Sequence, residues 1–281
     1  MALAIATNNA ALNAAASASS VNRDMETSMA RLSSGKRINS ASDDAAGVAI
    51  SSRLSAEIRG TDQAIRNSLD GQALIDTAEG AHKEIENILQ RMREVTIQAA
   101  NDTNNAQDRA NLQAEIEAMT TEIDRIAGTT TWAGADLMED ATTTFSFQVG
   151  AATGAKNQIS VTIATMNATG LGVGDGTDSV IDVETSGATA NAGTALIDAA
   201  IEDVNIQRSE LGAVSNRLNH TVNNLTNISS NLSAAKGGIE DADFALETTN
   251  LAKNQILQQA STAMLAQANA SKQNVLSLLQ G

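Results

Sequence analysis

No proline occurs anywhere in the 281 residues. Average usage, roughly 5%, would place about 14 in a chain of this length. Proline is the residue that most reliably ends a helix, because it lacks the N–H and clashes with the preceding turn. Without it, long uninterrupted helices become the default architecture. Aromatic residues are nearly as scarce, with one Trp, three Phe and no Tyr. Any core must therefore be built from Ala, Leu, Ile, Val and Met, which pack well between helices but fill a thick β-sandwich or barrel poorly. The expected fold class is mainly α, a long antiparallel helical bundle or coiled coil.

Apolar spacing supports this reading. Ala78, Ala81, Ile85, Ile88, Met92, Val95 and Ala99 step alternately by three and four residues, which is a heptad seam. Ile50, Leu54, Ile58, Ile65 and Leu69 continue a compatible face upstream, with Gly60 and Gly71 each weakening the helix by about 1 kcal/mol relative to Ala. One helix from Ala46 to Ala100 would reach roughly 80 Å. Ser42 is the expected N-cap, with Asp43 and Asp44 facing the positive end of the helix dipole. The polar run Asn101 to Asn105 reads as a turn. Leu112, Ile116, Met119, Ile123 and Ile126 then mark a second helix folding back on the first, and Val204, Leu211, Leu218, Leu225 and Leu232 form a third seam.

Two stretches break this helical pattern. Phe145, Phe147 and Val149 alternate with polar residues, as do Ile159, Val161 and Ile163, so a β-hairpin is expected at about 141–165. Residues 166–190 are Gly, Asp and Thr rich without periodicity, and read as an irregular loop.

Charge narrows the classes of function. The 18 Lys and Arg against 33 Asp and Glu give −15, which argues against nucleic acid as a partner. Zero cysteines removes disulfides, thiolate nucleophiles and Cys-ligated metals. No apolar run approaches the ~18 residues of a membrane span, and Met1 to Asn9 lacks the pattern of a Sec-type signal peptide. His82 and His220 have no metal-ligand spacing around them and read as satisfied or solvent-facing side chains. Asp175, Asp178, Asp182 and Glu184 match no calcium-loop spacing and read as turn residues. No enzyme and no cofactor are expected. Thr177 and Ser179 are candidate sites of modification in that loop.

The acidity is central. Residues 248–281 contain Lys253 and Lys272 and no acid, and residues 1–45 balance four basic against four acidic side chains. Both ends are Ala, Asn, Ser and Gln rich with scattered aliphatics: Leu3, Ile5 and Leu12 at the front, Ile256, Leu257, Met264, Val275, Leu276, Leu278 and Leu279 at the back. Such segments form helices but are too weakly apolar to hold them alone in water. Head-to-tail association, which generates rings or helical filaments, would bury them between copies.

The run from Arg31 through Ser33-Ser34-Gly35-Lys36-Arg37-Ile38-Asn39 to Asp43-Asp44-Ala45-Ala46-Gly47 resembles the amino-terminal signature of the bacterial flagellin family. Ile239-Glu240-Asp241-Ala242-Asp243-Phe244, Gln255 to Ala260 and Asn274 to Leu279 are similar to its carboxyl-terminal signature. The resemblance covers about 1–165 and 190–281, a short form with core domains only. It implies that 1–45 pairs with 237–281 as an inner coiled-coil layer around which 46–236 forms the outer layer. Gly237-Gly238 at the boundary would loosen that joint. It further implies a secreted subunit of the extracellular filament, whose partners are its own copies, the flagellar cap, hook-junction proteins, an export chaperone and the flagellar type III export apparatus. Leu89 to Val95 resembles the flagellin segment read by Toll-like receptor 5, with Glu115 on the next helix. The resemblance implies that Arg91 and Glu115 supply charged contacts and that Gln90 and Val95 pack around them, the same residues serving lateral filament contacts. Alternatives are a hook-filament junction protein, or a secreted coiled-coil effector or adhesin that does not polymerise.

Overall fold

The computed structural model describes the backbone of residues 7–139, 142–176 and 178–280, and side chains through residue 271. The elements are α1 (Asn9–Ser34), α2 (Ala45–Ala99), α3 (Ala106–Thr129), β1 (Thr131–Trp132), β2 (Ala135–Asp136), β3 (Thr143–Gln148), β4 (Gln158–Ile163), α4 (Gly187–Glu240) and α5 (Phe244–Gln280). They make two compact units: Ile58–Ser230, and Met1–Glu57 with Asn231–Gly281.

The unit Ile58–Ser230 is organised on α2. Ala78, Ile85, Met92, Val95 and Ala99 of the expected seam are fully buried, but so are Ile75, His82, Leu89 and Thr96. The inward line Ile75, Ala78, His82, Ile85, Leu89, Met92, Thr96 and Ala99 also steps by three and four. Ala81 and Ile88 are only half-buried. Two heptad registers share this helix because it packs against more than one neighbour.

Upstream, the expected face turns only partly inward, with Leu54, Ile58 and Ile65 half-buried. Leu69 is 48% exposed, and Ile50, further up the helix, is 41% exposed, whereas Thr61, Ala64 and Ser68 are buried. At Gly71 the small residue faces inward because the opposing groups are bulky. A Cβ on Gly71 would stand 3.2 Å from the Phe147 ring and 3.3 Å from Leu218. The glycine's cost in helix propensity is offset by this close approach of β3 and α4 to α2.

Asn105 caps α3: its side chain accepts from the Asp108 amide at 2.9 Å while the Asp108 carboxylate accepts from the Asn105 amide at 3.2 Å. The helix returns antiparallel to α2, burying Ile116 and Ile123. A tight hairpin, β1–β2, follows that apolar spacing does not reveal, turning on Ala133 (φ 51°) and Gly134 (φ 84°), both left-handed. The hairpin β3–β4 pairs Phe145 with Val161 and Phe147 with Ile159, and buries Ile159, Val161 and Ile163.

Residues 166–186 are irregular yet belong to the core. Met166, Ala168, Leu171, Val173, Ile181 and Val183 are buried. Two of these amides are satisfied by side chains of α3: Asp124 accepts from the Ala168 amide at 2.7 Å and Gln113 from the Val183 amide at 2.9 Å. A Cβ on Gly174 would lie 2.7 Å from that of Ala168, so glycine there reflects close approach as well as turning. Helix α4 begins at Gly187, inside the span expected to be loop, and buries Val204, Leu211, Leu218 and Leu225 of the seam.

In the other unit α1 packs along α5. Helix α1 starts with Asn8 accepting from the Ala11 amide at 3.1 Å and ends at Gly35, whose φ of 71° is the left-handed stop. The cap of α2 is Asp44, which accepts from the Gly47 amide at 2.8 Å, and not Ser42, whose hydroxyl pairs with that of Ser40. Asp43 stays outside the helix. Its carboxylate accepts from the amides of Ser40 and Asn39 and the Ser40 hydroxyl, which together hold it below the usual carboxylate range. Helix α4 runs unbroken through Gly237 and Gly238, so these glycines do not open a break. Just beyond them Arg37 N–H donates to Glu240 O, Ala242 N–H donates to Gly35 O, and Glu240 receives Lys36 at 3.1 Å and the Ser51 hydroxyl.

Candidate assembly and recognition surfaces

The pairing of α1 with α5 is narrow because its inward residues are small. Ala14 and Ser28 are the buried side chains of α1. Polar contacts join the helices along their length: Arg31 to Glu247 at 3.0 Å, Gln258 to Asn22 at 2.8 Å, and Asn8 to the carbonyl of Ala268 at 3.1 Å. The large apolar side chains point elsewhere. Leu12 is 60% exposed, Ile256 66% and Met264 67%, and Met29, Phe244, Leu246 and Leu257 are exposed too. Of the sequence-expected assembly residues, Leu3 and Ile5 lie outside the described residues, as do the side chains of Val275, Leu276, Leu278 and Leu279.

A second surface lies across α2 and α3. Arg91 bonds Glu115 through its Nε at 3.1 Å and its Nη2 at 2.9 Å, and bonds Glu94 at 3.0 Å. These carboxylates, Glu115 first, raise the guanidinium above its ordinary range. Gln90 is exposed and donates to Glu86 at 3.2 Å. Val95 does not join them. It is fully buried in the seam with Met92, so the patch present at the surface is Gln90, Arg91 and Glu115.

In the Gly-rich loop, Ser179 is engaged in the fold: its hydroxyl donates to Val173 O and accepts from the Ile181 amide. Thr177 lies outside the described residues. Asp182 accepts from the amides of Glu184 and Thr185, both at 3.0 Å, and Thr185 holds its carboxyl below the usual range.

His220 is exposed. His82 is neither satisfied nor solvent-facing, contrary to expectation. Its ring is fully buried and neither nitrogen has a hydrogen-bond partner. The step of four from Ala78 and three to Ile85 places it inward, a signal that the register through Ala81 and Ile88 concealed. Burial lowers its pKa to about 4, and Arg208 of α4 adds to the shift. Arg208 itself pairs with Glu86 and, at 3.7 Å, with Glu79 of α2.

A helical subunit with a well-filled central core and an apolar face left open on its paired terminal helices is the class of protein that completes its burial against copies of itself. The particular family is equally plain. Residues 5–143 match the bacterial flagellin N-terminal helical region and residues 194–279 the bacterial flagellin C-terminal helical region. The chain is 46% identical to the flagellin of Halalkalibacterium halodurans over 91% of this chain and 92% of that protein. It is 44% identical to the flagellin of Bacillus subtilis over 97% and 98% respectively. Among solved structures, a flagellar hook-associated protein from Vibrio parahaemolyticus covers 71% of this chain and 100% of its own with a TM-score of 0.59, and at 17% identity it shares the fold alone. The chain belongs to the flagellin family, the self-polymerising structural subunits of the extracellular flagellar filament.

Proposed function

We propose that this flagellin polymerises by burying the open faces of α1 and α5 against neighbouring copies, residues 1–45 with 237–281 forming an inner layer and 46–236 a surrounding one. The observation that carries this reading is the exposure of Leu12, Ile256 and Met264 on helices whose mutual contact is made by small and polar residues. The ordering entropy of such helices, of order 1–2 kcal/mol per residue, is offset only when those faces are covered. Folding of the ends and assembly are then one event. Leu3, Ile5, Leu257, Val275, Leu276, Leu278 and Leu279 extend the same contact. The subunit is secreted through the flagellar type III export apparatus with an export chaperone, and is added beneath the cap onto hook-junction proteins.

Gln90, Arg91 and Glu115 supply a lateral contact in the filament and, in the free subunit, the charged surface read by Toll-like receptor 5. Support comes from their exposure and from the Arg91–Glu115 bond, which fixes the two charges side by side. The test of the assembly reading is deletion of residues 248–281 followed by electron microscopy of the seeded protein. We expect no filaments; filaments of normal length from the truncated chain would overturn the reading.

A further inference from the structure

We propose that His82, Glu79, Glu86 and Arg208 form an acid-responsive latch, in which proton uptake by the buried imidazole loosens α4 from α2. Three observations carry it. The ring occupies an inward heptad position between Ala78 and Ile85 where an aliphatic side chain would pack, and both of its nitrogens lack partners. Leaving buried polar atoms unpaired is costly, so packing alone gives no reason for histidine here. The latch is also built across two helices: Arg208 of α4 reaches Glu86 and Glu79, which lie four residues after and three residues before His82 on α2 and so share its side of the helix.

The charges around the ring define what a proton would do. On α2 the facing acids are Glu79 and Glu86, both engaged with Arg208. On α4 the facing group is Arg208, whose Nε is buried without a partner, while Glu202, Asp203 and Glu210 of that stretch are exposed. On α3, across the groove beside Ala81 and Glu84, Glu122 and Arg125 are paired with each other at 2.6 Å. Strands β3 and β4 carry no ionisable residue. A protonated His82 is therefore a second cation beside Arg208. On its own side of α2 the acids it would compete for are Glu86 and Glu79. A carboxylate held by His82 makes a bond within α2; the same carboxylate held by Arg208 ties α2 to α4.

The direction follows from linkage. The neutral ring is the form that the closed packing accepts, so its affinity for protons is lower closed than open. Between pH 6.5 and about 4 the open state binds the additional proton, and closing becomes less favourable by up to about tenfold per pH unit, about 300-fold in all. Above pH 6.5 the ring is neutral in both states and proton uptake no longer opposes closing.

The chain's two histidines make a direct test on the full-length monomer. Histidine proton NMR should give a signal that His82→Leu removes, and the titration of that signal should coincide with loss of protection of the α4 amides around Arg208 in hydrogen exchange. In parallel, the stability of wild type relative to His82→Leu should fall by about 100-fold between pH 7 and 4.5, the leucine variant being the more stable at the lower pH. A His82 signal titrating near the ordinary imidazole value of about 6.5 with no change in α4 exchange would overturn the latch, as would wild-type and His82→Leu stabilities that stay parallel across that range. Arg208→Met gives a second arm: it should raise α4 exchange at pH 7 to the level that wild type reaches in acid, and unchanged exchange would count against the tie.

Discussion

The two units of this flagellin solve the same packing problem in opposite ways. In Ile58–Ser230 the large aliphatics Ile75, Ile85, Leu89, Ile116, Ile197 and Leu218 are turned inward and fully covered. In the terminal unit only Ala14 and Ile38 are buried hydrophobics among the described residues, while Leu12, Ile256 and Met264 are turned out. Burial of a Leu or Ile side chain contributes roughly 1.5–3 kcal/mol, so the first arrangement holds its fold within one chain and the second leaves that stabilisation for a neighbour. The difference separates stability of the subunit from stability of the polymer within one sequence.

The largest effects should therefore divide by unit. Leu218→Ala removes a fully buried side chain that meets Gly71 of α2, and should destabilise the monomer by about 3 kcal/mol or more in chemical denaturation. Ile256→Ala alters a side chain that is 66% exposed, and should leave the monomer's transition unchanged while raising the concentration needed for filament growth in a sedimentation assay. A monomer destabilised equally by both would erase the distinction between the units.

A smaller effect probes the small-residue face of α2. In Gly71→Val, a Cβ placed 3.2 Å from the Phe147 ring and 3.3 Å from Leu218 forces the hairpin or α4 outward. Overpacking of this kind costs about 1–3 kcal/mol, to be read from the midpoint of urea unfolding. An unchanged midpoint would mean that β3 is free to shift, and that the close approach does not contribute to the core.

This face also marks the limit of what was legible in the sequence. The long helices of the central unit and the β3–β4 hairpin are visible because large aliphatics recur at spacings that only one secondary structure accommodates, whereas the pairing of the terminal helices entered only through the resemblance. The seam from Ala78 to Ala99 is of this kind. Thr61, Ala64, Ser68 and Gly71 carry no such signal: small and polar residues do not mark an inward face by spacing, and at Gly71 the bulk that defines it, Phe147, lies far along the chain. The same holds for Ala168 and Val183, which are buried in an irregular segment with their amides held by Asp124 and Gln113 reaching in from α3. His82 is missed, and Val95 cannot serve both the seam and the surface patch, because α2 is covered on more than one side and a single heptad register does not describe it.

The terminal unit offers an effect of intermediate size. Asp44 caps α2 through the Gly47 amide, and Asp44→Ala should cost about 1 kcal/mol, seen as earlier fraying of the first turn of α2 in hydrogen exchange. Ser42→Ala should leave that exchange unchanged, because Ser42 bonds Ser40 and not the helix. Equal responses of the two variants would indicate that the cap is shared.

The smallest change should be a gain. Gly80 lies on α2 within the same helix as Gly71, but a Cβ added to it meets nothing within 4 Å. With no contact to lose, Gly80→Ala should stabilise the monomer by roughly 0.5–1 kcal/mol through reduced freedom of the unfolded chain. The increase should appear in the same urea transition that Gly71→Val lowers. Two glycines on one helix would then move stability in opposite directions for one reason, the distance to the next side chain. If Gly80→Ala instead destabilises the monomer while filaments still form, the open side of α2 at Gly80 is needed for the helix to bend and not merely left vacant, and the division between a filled inner face and an idle outer one would have to be redrawn there.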